Sequence, residues 1–330
     1  MTRHLLRDDD LSPAEQEAVL DLALALKASP YDARPLAGPQ TVAVLFDKPT
    51  LRTQASFASG IAELGGFPMI IDGSLAQVGV RESVADTARV LGRQASAVVW
   101  RTHDQSRLEE MAAHAGVPVV NALTDQFHPC QALADLMTVR EHCGDLAGRT
   151  LAFVGDASCN MAHSLLLAGA TAGMHVRVSG PGAYVPEPAF LARAVEIAAA
   201  TGGSATALED PAEAVAAADV VVTDTWVSMG KESEAEARAG AFAPWRLDAD
   251  LLAHAADAAV VLHCLPAYRG QEITAEVIDG PRSLVWDEAE NRRHVQKAVL
   301  TFLLRDGQRD GQRDGQQDGQ QDGPLDGAVA

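Results

Sequence analysis

Short apolar runs recur along the chain, at 41–46, 68–72, 96–101, 117–121, 150–155, 175–179, 205–208, 219–224, 259–263 and 283–286. Between them lie segments in which apolar residues return every three or four positions, as on one face of a helix. These are 13–28, 51–65, 82–93, 105–115, 131–142, 160–173, 187–201, 210–218 and 288–304. Strand alternating with helix predicts parallel sheets with helices on both faces. Runs such as AVVL (259–262) and DVVVT (219–223) are apolar nearly throughout, as strands covered on two sides require.

So many strands exceed what one doubly wound sheet usually takes, and the chain is expected to form two α/β domains. The stretch REHCGDLAGRT (140–150) is polar and carries glycines, and TLAFVGDA then opens a fresh strand. A junction near 143–148 gives domains 1–145 and 146–287, with the final helix 288–304 able to pack back on the first. Residues 305–330 repeat Asp-Gly in a run of RDGQ and QDGQ units. With nothing to bury, this stretch is expected to be a disordered tail. Its spacing fits neither an EF-hand loop nor a nonapeptide β-helix.

Composition narrows the classes. A chain of 330 residues supports two full cores, and 47% hydrophobic with 22% charged residues is ordinary for a soluble protein. The formal net charge of −19 argues against nucleic-acid or anionic-membrane binding as the main role. An anionic ligand would therefore need a local cationic pocket. No apolar run reaches the roughly 18 residues of a membrane span, and MTRHLLRDDD carries no signal-peptide core. Cys130, Cys143, Cys159 and Cys264 are scattered, with no zinc-ligand spacing, which suits reduced thiols in a cytoplasm.

In parallel α/β domains ligands gather at the carboxyl ends of strands, often against a helix N-terminus. Polar clusters stand at several such places here. After strand 41–46, Thr50, Leu51, Arg52 and Thr53 would open a helix with free N–H groups, two hydroxyls and a guanidinium, which suits a phosphate. An ordinary cap with a solvated arginine is equally consistent with that stretch alone. Arg101 ends an apolar strand, and His128 and Gln131 begin a helix behind Pro129, placed to donate to a carbonyl or phosphate oxygen. In the second half, Asn160 opens a helix after strand 150–155. Asp224 ends a strand ahead of Ser228, Met229 and Gly230, and His263-Cys264-Leu265-Pro266 ends another. Cys264 could carry thiolate character there or be an inert buried thiol. Arg292 stands near the start of the last helix. A single Gly155 is not a dinucleotide fingerprint, and no Walker-type loop is present.

In combination and in this order, KPTLRT, WRT, HPCQ, DTWVSMG, HCLP and DEAENR resemble the aspartate/ornithine carbamoyltransferase family over residues 5–304. The resemblance implies two α/β domains, an active site in the cleft between them, and no metal or organic cofactor. It also implies homotrimers, or multiples of trimers, with sites between subunits. The implied reaction carries the carbamoyl group of carbamoyl phosphate to the δ-amine of L-ornithine, giving citrulline and phosphate in arginine metabolism. Carried over, it assigns carbamoyl phosphate to Thr50, Leu51, Arg52, Thr53, Gln77, Arg101, His128, Gln131, Cys264, Leu265 and Arg292. Gln77 lies in the loop that reaches a neighbouring subunit's site in this family. Ornithine falls to Asn160, Asp224, Ser228 and Met229, with closure of the SMG loop over it. Arg52, Arg101, His128, Cys264 and Arg292 would form the reacting centre.

One motif departs. The family's commonest phosphate loop reads Ser-Thr-Arg-Thr-Arg, where this chain has Thr50-Leu51-Arg52-Thr53-Gln54. That keeps N-acetylornithine, N-succinylornithine and putrescine open as acceptors. A nucleotide-dependent oxidoreductase and a catalytically silent paralogue are the readings from other classes.

Overall fold

The computed structural model describes residues 2–48, 50–227 and 235–317. Among the described residues nine strands form two sheets, all parallel. β1 (Thr41–Phe46), β2 (Phe67–Asp72), β3 (Ala97–Arg101) and β4 (Val119–Leu123) lie in the order β2-β1-β3-β4. β5 (Thr150–Val154), β6 (His175–Ser179), β7 (Ser204–Leu208), β8 (Val220–Val222) and β9 (Val260–Leu262) lie in the order β7-β6-β5-β8-β9. This is the expected architecture of two parallel-sheet domains flanked by helices.

The strands show why both faces are covered. In β1, Val42, Val44 and Phe46 join one apolar cluster, while Ala43 and Leu45 join another, as alternation of side chains across a strand demands. The first cluster runs on without a break into the second sheet through Leu151, Phe153 and Val176. A third cluster, including Ala152, Val154 and Val221, covers that sheet's far face. One core thus joins the two domains, and each domain keeps an outer core of its own.

Helix ends follow local chemistry. Ser12 caps Pro13–Ala28 through a capping box with Glu15, and Gly116, at φ +70°, ends Gln105–Ala115. The last helix, Val285–Gln317, packs on the Pro13–Ala28, Arg52–Glu63 and Pro129–Cys143 helices of the first domain. Buried Lys297 pins it there, donating to Glu63 at 2.6 Å and to the carbonyls of Leu26 and Pro30.

Two expectations differ from the structure. The run 283–286 is not a strand: Ser283 makes one isolated bridge to Val261, and helix begins at Val285. Three apolar residues there are compatible with either state, and Asp287 and Glu288 behind them favour a helix start. The last helix is also assigned as far as Gln317 rather than ending at 304. Residues 318–330, the remainder of the expected tail, lie outside the described residues.

Candidate active site

Among the described residues most candidate groups stand at the carboxyl end of a parallel strand or on the segment that follows one, and Arg292 comes from the last helix. Thr50, Leu51, Arg52, Thr53, Arg101, His128 and Gln131 come from the ends of β1, β3 and β4 or the segments after them. The Arg52–Glu63 helix has Leu51 as its N-cap with no side-chain cap, so its first N–H groups are left for a ligand. Arg52 opens this helix and Thr53 is buried one residue on. Leu51 itself is 79% exposed, so only its backbone is available to the site. Arg101 ends β3 where the register with β4 slips between Trp100 and Arg101, an irregularity that re-aims the side chain.

Three guanidinium groups converge here. Arg101 Nη1 donates to Thr50 Oγ1 at 3.2 Å and Thr53 Oγ1 at 3.4 Å, and Arg292 Nη2 donates to the same Thr53 hydroxyl at 2.8 Å. Arg52 Nη2 crosses the cleft to the Leu265 carbonyl at 2.7 Å. Among the described residues none of the three forms an ion pair, and the Nε of each is buried without a partner. Burial, with Arg292 and Arg52 beside it, pushes Arg101 down to about 10. Burial and the Arg52 charge lower Arg292 as well. A cluster so placed, in a chain of net charge −19, is a built demand for an anion.

His128 and Gln131 lie beside it at the start of the Pro129–Cys143 helix, where proline occupies the first turn. Burial and the nearby Arg292 and Arg101 charges drive the His128 imidazole well below its usual value, so it is neutral near pH 7. Its Nδ1 is buried without a partner, and its backbone N–H donates to Ser164 Oγ at 2.8 Å. Gln131 departs from the expectation of a donor. Its Nε2 is spent on Asp135 Oδ1 and Glu288 Oε1, both at 2.8 Å, which leaves Oε1 as a buried, unpartnered acceptor.

The second domain supplies the opposite wall. Asp224 follows β8, and its Oδ1 accepts from Cys264 Sγ at 3.1 Å and from the Thr225 N–H at 2.7 Å. Burial, then the Asp224 and Glu288 charges, push the Cys264 thiol well above its usual range. Cys264 is therefore a neutral thiol, and the alternative of thiolate character is corrected: burial and the carboxylate that accepts its proton outweigh the arginines nearby. Leu265 sits in the left-handed region at φ +55°, a strained place for leucine. Its N–H donates to His263 Nδ1 at 2.9 Å and its carbonyl takes Arg52, so both neighbours hold it there. Asn160 begins the Asn160–Thr171 helix and donates from Nδ2 to the Thr124 carbonyl at 2.7 Å.

Donor atoms of Asp224, His263 and Cys264 lie within 4.8 Å of one another, close enough for a metal. The group is poorly prepared for one. His263 spends Nδ1 on Leu265 and faces Glu272 Oε1 at 3.2 Å with Nε2, while Cys264 keeps its proton for Asp224.

Gln77 stands apart from this cluster. It is exposed on the turn after the short Gly73–Ala76 helix, at φ +51°. Ser228 and Met229, with the loop expected to close over ornithine, lie outside the described residues. Gln54 is exposed and lines a shallow cavity with Asp47, Lys48, Thr50 and Asp72. The motif reading did not single out Asp135, Glu288 or His263. Asp135 stands four residues after Gln131, and Glu288 four before Arg292, so one helical turn linked each to a candidate already in view.

Two family models divide the chain. The aspartate/ornithine carbamoyltransferase carbamoyl-P binding domain matches residues 3–141, and the Asp/Orn binding domain of the same family matches 147–303. The chain is 63% identical to an ornithine carbamoyltransferase of Clavibacter michiganensis over 305 residues, covering 92% of this chain and 99% of that one. It is 61% identical to that of Leifsonia xyli, covering 92% and 97%. Among solved structures, ornithine carbamoyltransferase from Pyrococcus furiosus superposes with a TM-score of 0.88 at 43% identity, covering 92% of this chain and 97% of that one. The anabolic enzyme of Campylobacter jejuni gives 0.87 at 36%, covering 93% and 99%.

Proposed function

The chain belongs to the aspartate/ornithine carbamoyltransferase family, and from that premise we propose that it carries the carbamoyl group of carbamoyl phosphate to the δ-amine of L-ornithine. The observation that carries this reading is the unpaired arginine cluster on Thr53, facing an acceptor on Gln131 and the Asp224–Cys264 pair across the cleft. An anion, a carbamoyl N–H and an amine are what these three parts want.

In this reading Arg52, Arg101, Arg292, the Thr50 and Thr53 hydroxyls and the free N–H groups of the helix start take the phosphate. Neutral His128, with Arg292, donates to the carbamoyl oxygen. Gln131 Oε1 accepts from the carbamoyl NH2, and the backbone of Leu265 closes the same pocket. Asp224 and Cys264 hold the δ-amine, which must be neutral to attack. The C–N bond forms through a tetrahedral intermediate and the nitrogen sheds a proton. The C–O bond to phosphorus then breaks as phosphate departs. Donors fixed in advance around the developing charge commonly contribute a few kcal/mol each, and holding two reactants across a cleft adds much of the rest. Asn160, with one N–H on Thr124, keeps its carbonyl for the α-ammonium, and Ser228 and Met229 complete the amino-acid end.

We further propose a homotrimer or a multiple of it. β2 is an edge strand, and Phe67, Ile70, Leu75 and Val80 on and after it are exposed, an apolar face suited to a second copy that would receive Gln77. Four free cysteines favour a reducing, cytoplasmic setting. No helix among the described residues is long and apolar enough to cross a membrane.

The test is a colorimetric assay for citrulline from carbamoyl phosphate and ornithine, run beside N-acetylornithine, N-succinylornithine and putrescine, with mass measured in solution. Ornithine should be the preferred acceptor by at least an order of magnitude. Turnover of another amine without citrulline would move the assignment to that amine, and a monomeric mass would remove the trimer.

A further inference from the structure

We propose that Asp135 and Glu288 share one proton and act as a positioning pair, fixing which end of the Gln131 amide meets the carbamoyl group. The inference rests on the carbamoyl-transfer reading above. Both carboxyls are fully buried, on different helices, and Gln131 Nε2 donates to an oxygen of each at 2.8 Å. One amide nitrogen thus gathers two buried carboxyls, and a proton on one of them removes the cost of holding two buried negative charges side by side. Burial above all pushes both upward, and the Asp135 charge pushes Glu288 further. Arg292, one turn beyond Glu288, and Asp224 across the cleft are the other charges felt at the pair.

The second oxygen of Glu288 accepts the His263 N–H at 2.8 Å. Glu288 is thus filled by donors on both oxygens, whereas Asp135 Oδ2 is buried with no donor, which makes it the oxygen suited to carry the proton. Turning the Gln131 amide over would set its carbonyl against two carboxyl oxygens, neither of which carries that proton. Gln131 is therefore held with NH2 toward the pair and Oε1 away from it, as an acceptor that reads an N–H. Through the His263 contact the same pair also steadies the loop carrying Cys264 and Leu265.

The asymmetry makes two isosteric variants behave differently. In Asp135→Asn the new amide can donate to Glu288 and still accept from Gln131, so Gln131 keeps its orientation. In Glu288→Gln an NH2 must face either the Gln131 NH2 or the His263 N–H, and Gln131 is released. Calorimetry reads both, with carbamoyl phosphate and with acetyl phosphate, in which a methyl replaces the NH2. Wild type should prefer carbamoyl phosphate. Asp135→Asn should keep that affinity within about threefold, while Glu288→Gln loses about tenfold, the equivalent of one ordinary hydrogen bond. Acetyl phosphate affinity should stay within about twofold in both variants, because the phosphate cradle is untouched. Equal behaviour of the two amide variants, or parallel loss of both ligands, would overturn the pairing and leave the reaction standing. A wild type that binds the two phosphates alike would sink the reaction reading and the pairing together.

Discussion

Arg52, Arg101 and Arg292 are held together without a carboxylate among the described residues, so the protein without ligand stores an unfavourable electrostatic energy that an anion relieves. Inorganic phosphate should therefore raise the melting temperature, by an amount that grows with its concentration. Arg101→Ala should abolish most of that rise and lower kcat/KM for carbamoyl phosphate by about two to three orders of magnitude, as loss of a charged transition-state donor does. Calorimetric melting with and without phosphate checks the first part, and initial rates check the second. Arg52 and Arg101 were legible in the sequence because they stand at a helix start and a strand end, whereas Arg292, two turns into its helix, was legible only through its motif. Asp135 and Glu288 were not. Asp135 lies inside a helix, where a carboxylate reads as a solvated face, Glu288 lies in the first turn of another, where it reads as an ordinary helix-start acid, and only the fold brings the two onto one amide. Gln131 was expected as a donor, whereas the fold spends its amide N–H groups on Asp135 and Glu288, neighbours that the linear order does not reveal.

At the scale of elements the pattern of apolar runs was more telling. Apart from the tract that became a helix start, each expected strand exists, with ends within a few residues, because two-sided burial leaves continuous apolar tracts that little else imitates. Helices set by packing rather than by periodicity, such as Ala235–Phe242 and Ala275–Ile278, escaped notice. One helix contact gives a sharp test. Gly92, on the Val84–Gln94 helix, lies against the end of Gln105–Ala115, and a Cβ there would fall 1.7 Å from the Ala115 carbonyl oxygen. Gly92→Ala would improve helix propensity in isolation, yet it should destabilise the protein by about 2 kcal/mol or more, because backbone rather than a flexible side chain must move. Urea denaturation decides it: a variant as stable as wild type would mean that the two helices can part without cost.

The whole molecule is tied across its domains by its two ends. Near the N-terminus, Asp8 is buried and accepts from Ser164 Oγ at 2.6 Å, and the same Ser164 oxygen accepts the His128 N–H. Burial, aided by the Asp9 and Asp10 charges and opposed by the Ser164 hydrogen bond, pushes Asp8 up to about 7. The folded state thus holds this proton more tightly than the unfolded chain does. Stability from this group is greatest at acid pH and declines as pH climbs from about 4 through 7. Asp8→Asn should accordingly melt several degrees above wild type at pH 8 and close to it at pH 4, measured by calorimetry at the two values. An advantage of the same size at both would remove the ionisation from the account.

The other end works differently. The first sheet takes its covering helix from Val285 onward, and that helix also brings Arg292 to Thr53. During synthesis, at about 5–20 residues per second, the early half of the chain must wait many seconds on the ribosome for the strip that closes it. A nascent chain cut short anywhere before that helix lacks both its seal and a third of its anion cluster. Ligand capture is thereby reserved for chains translated beyond that helix.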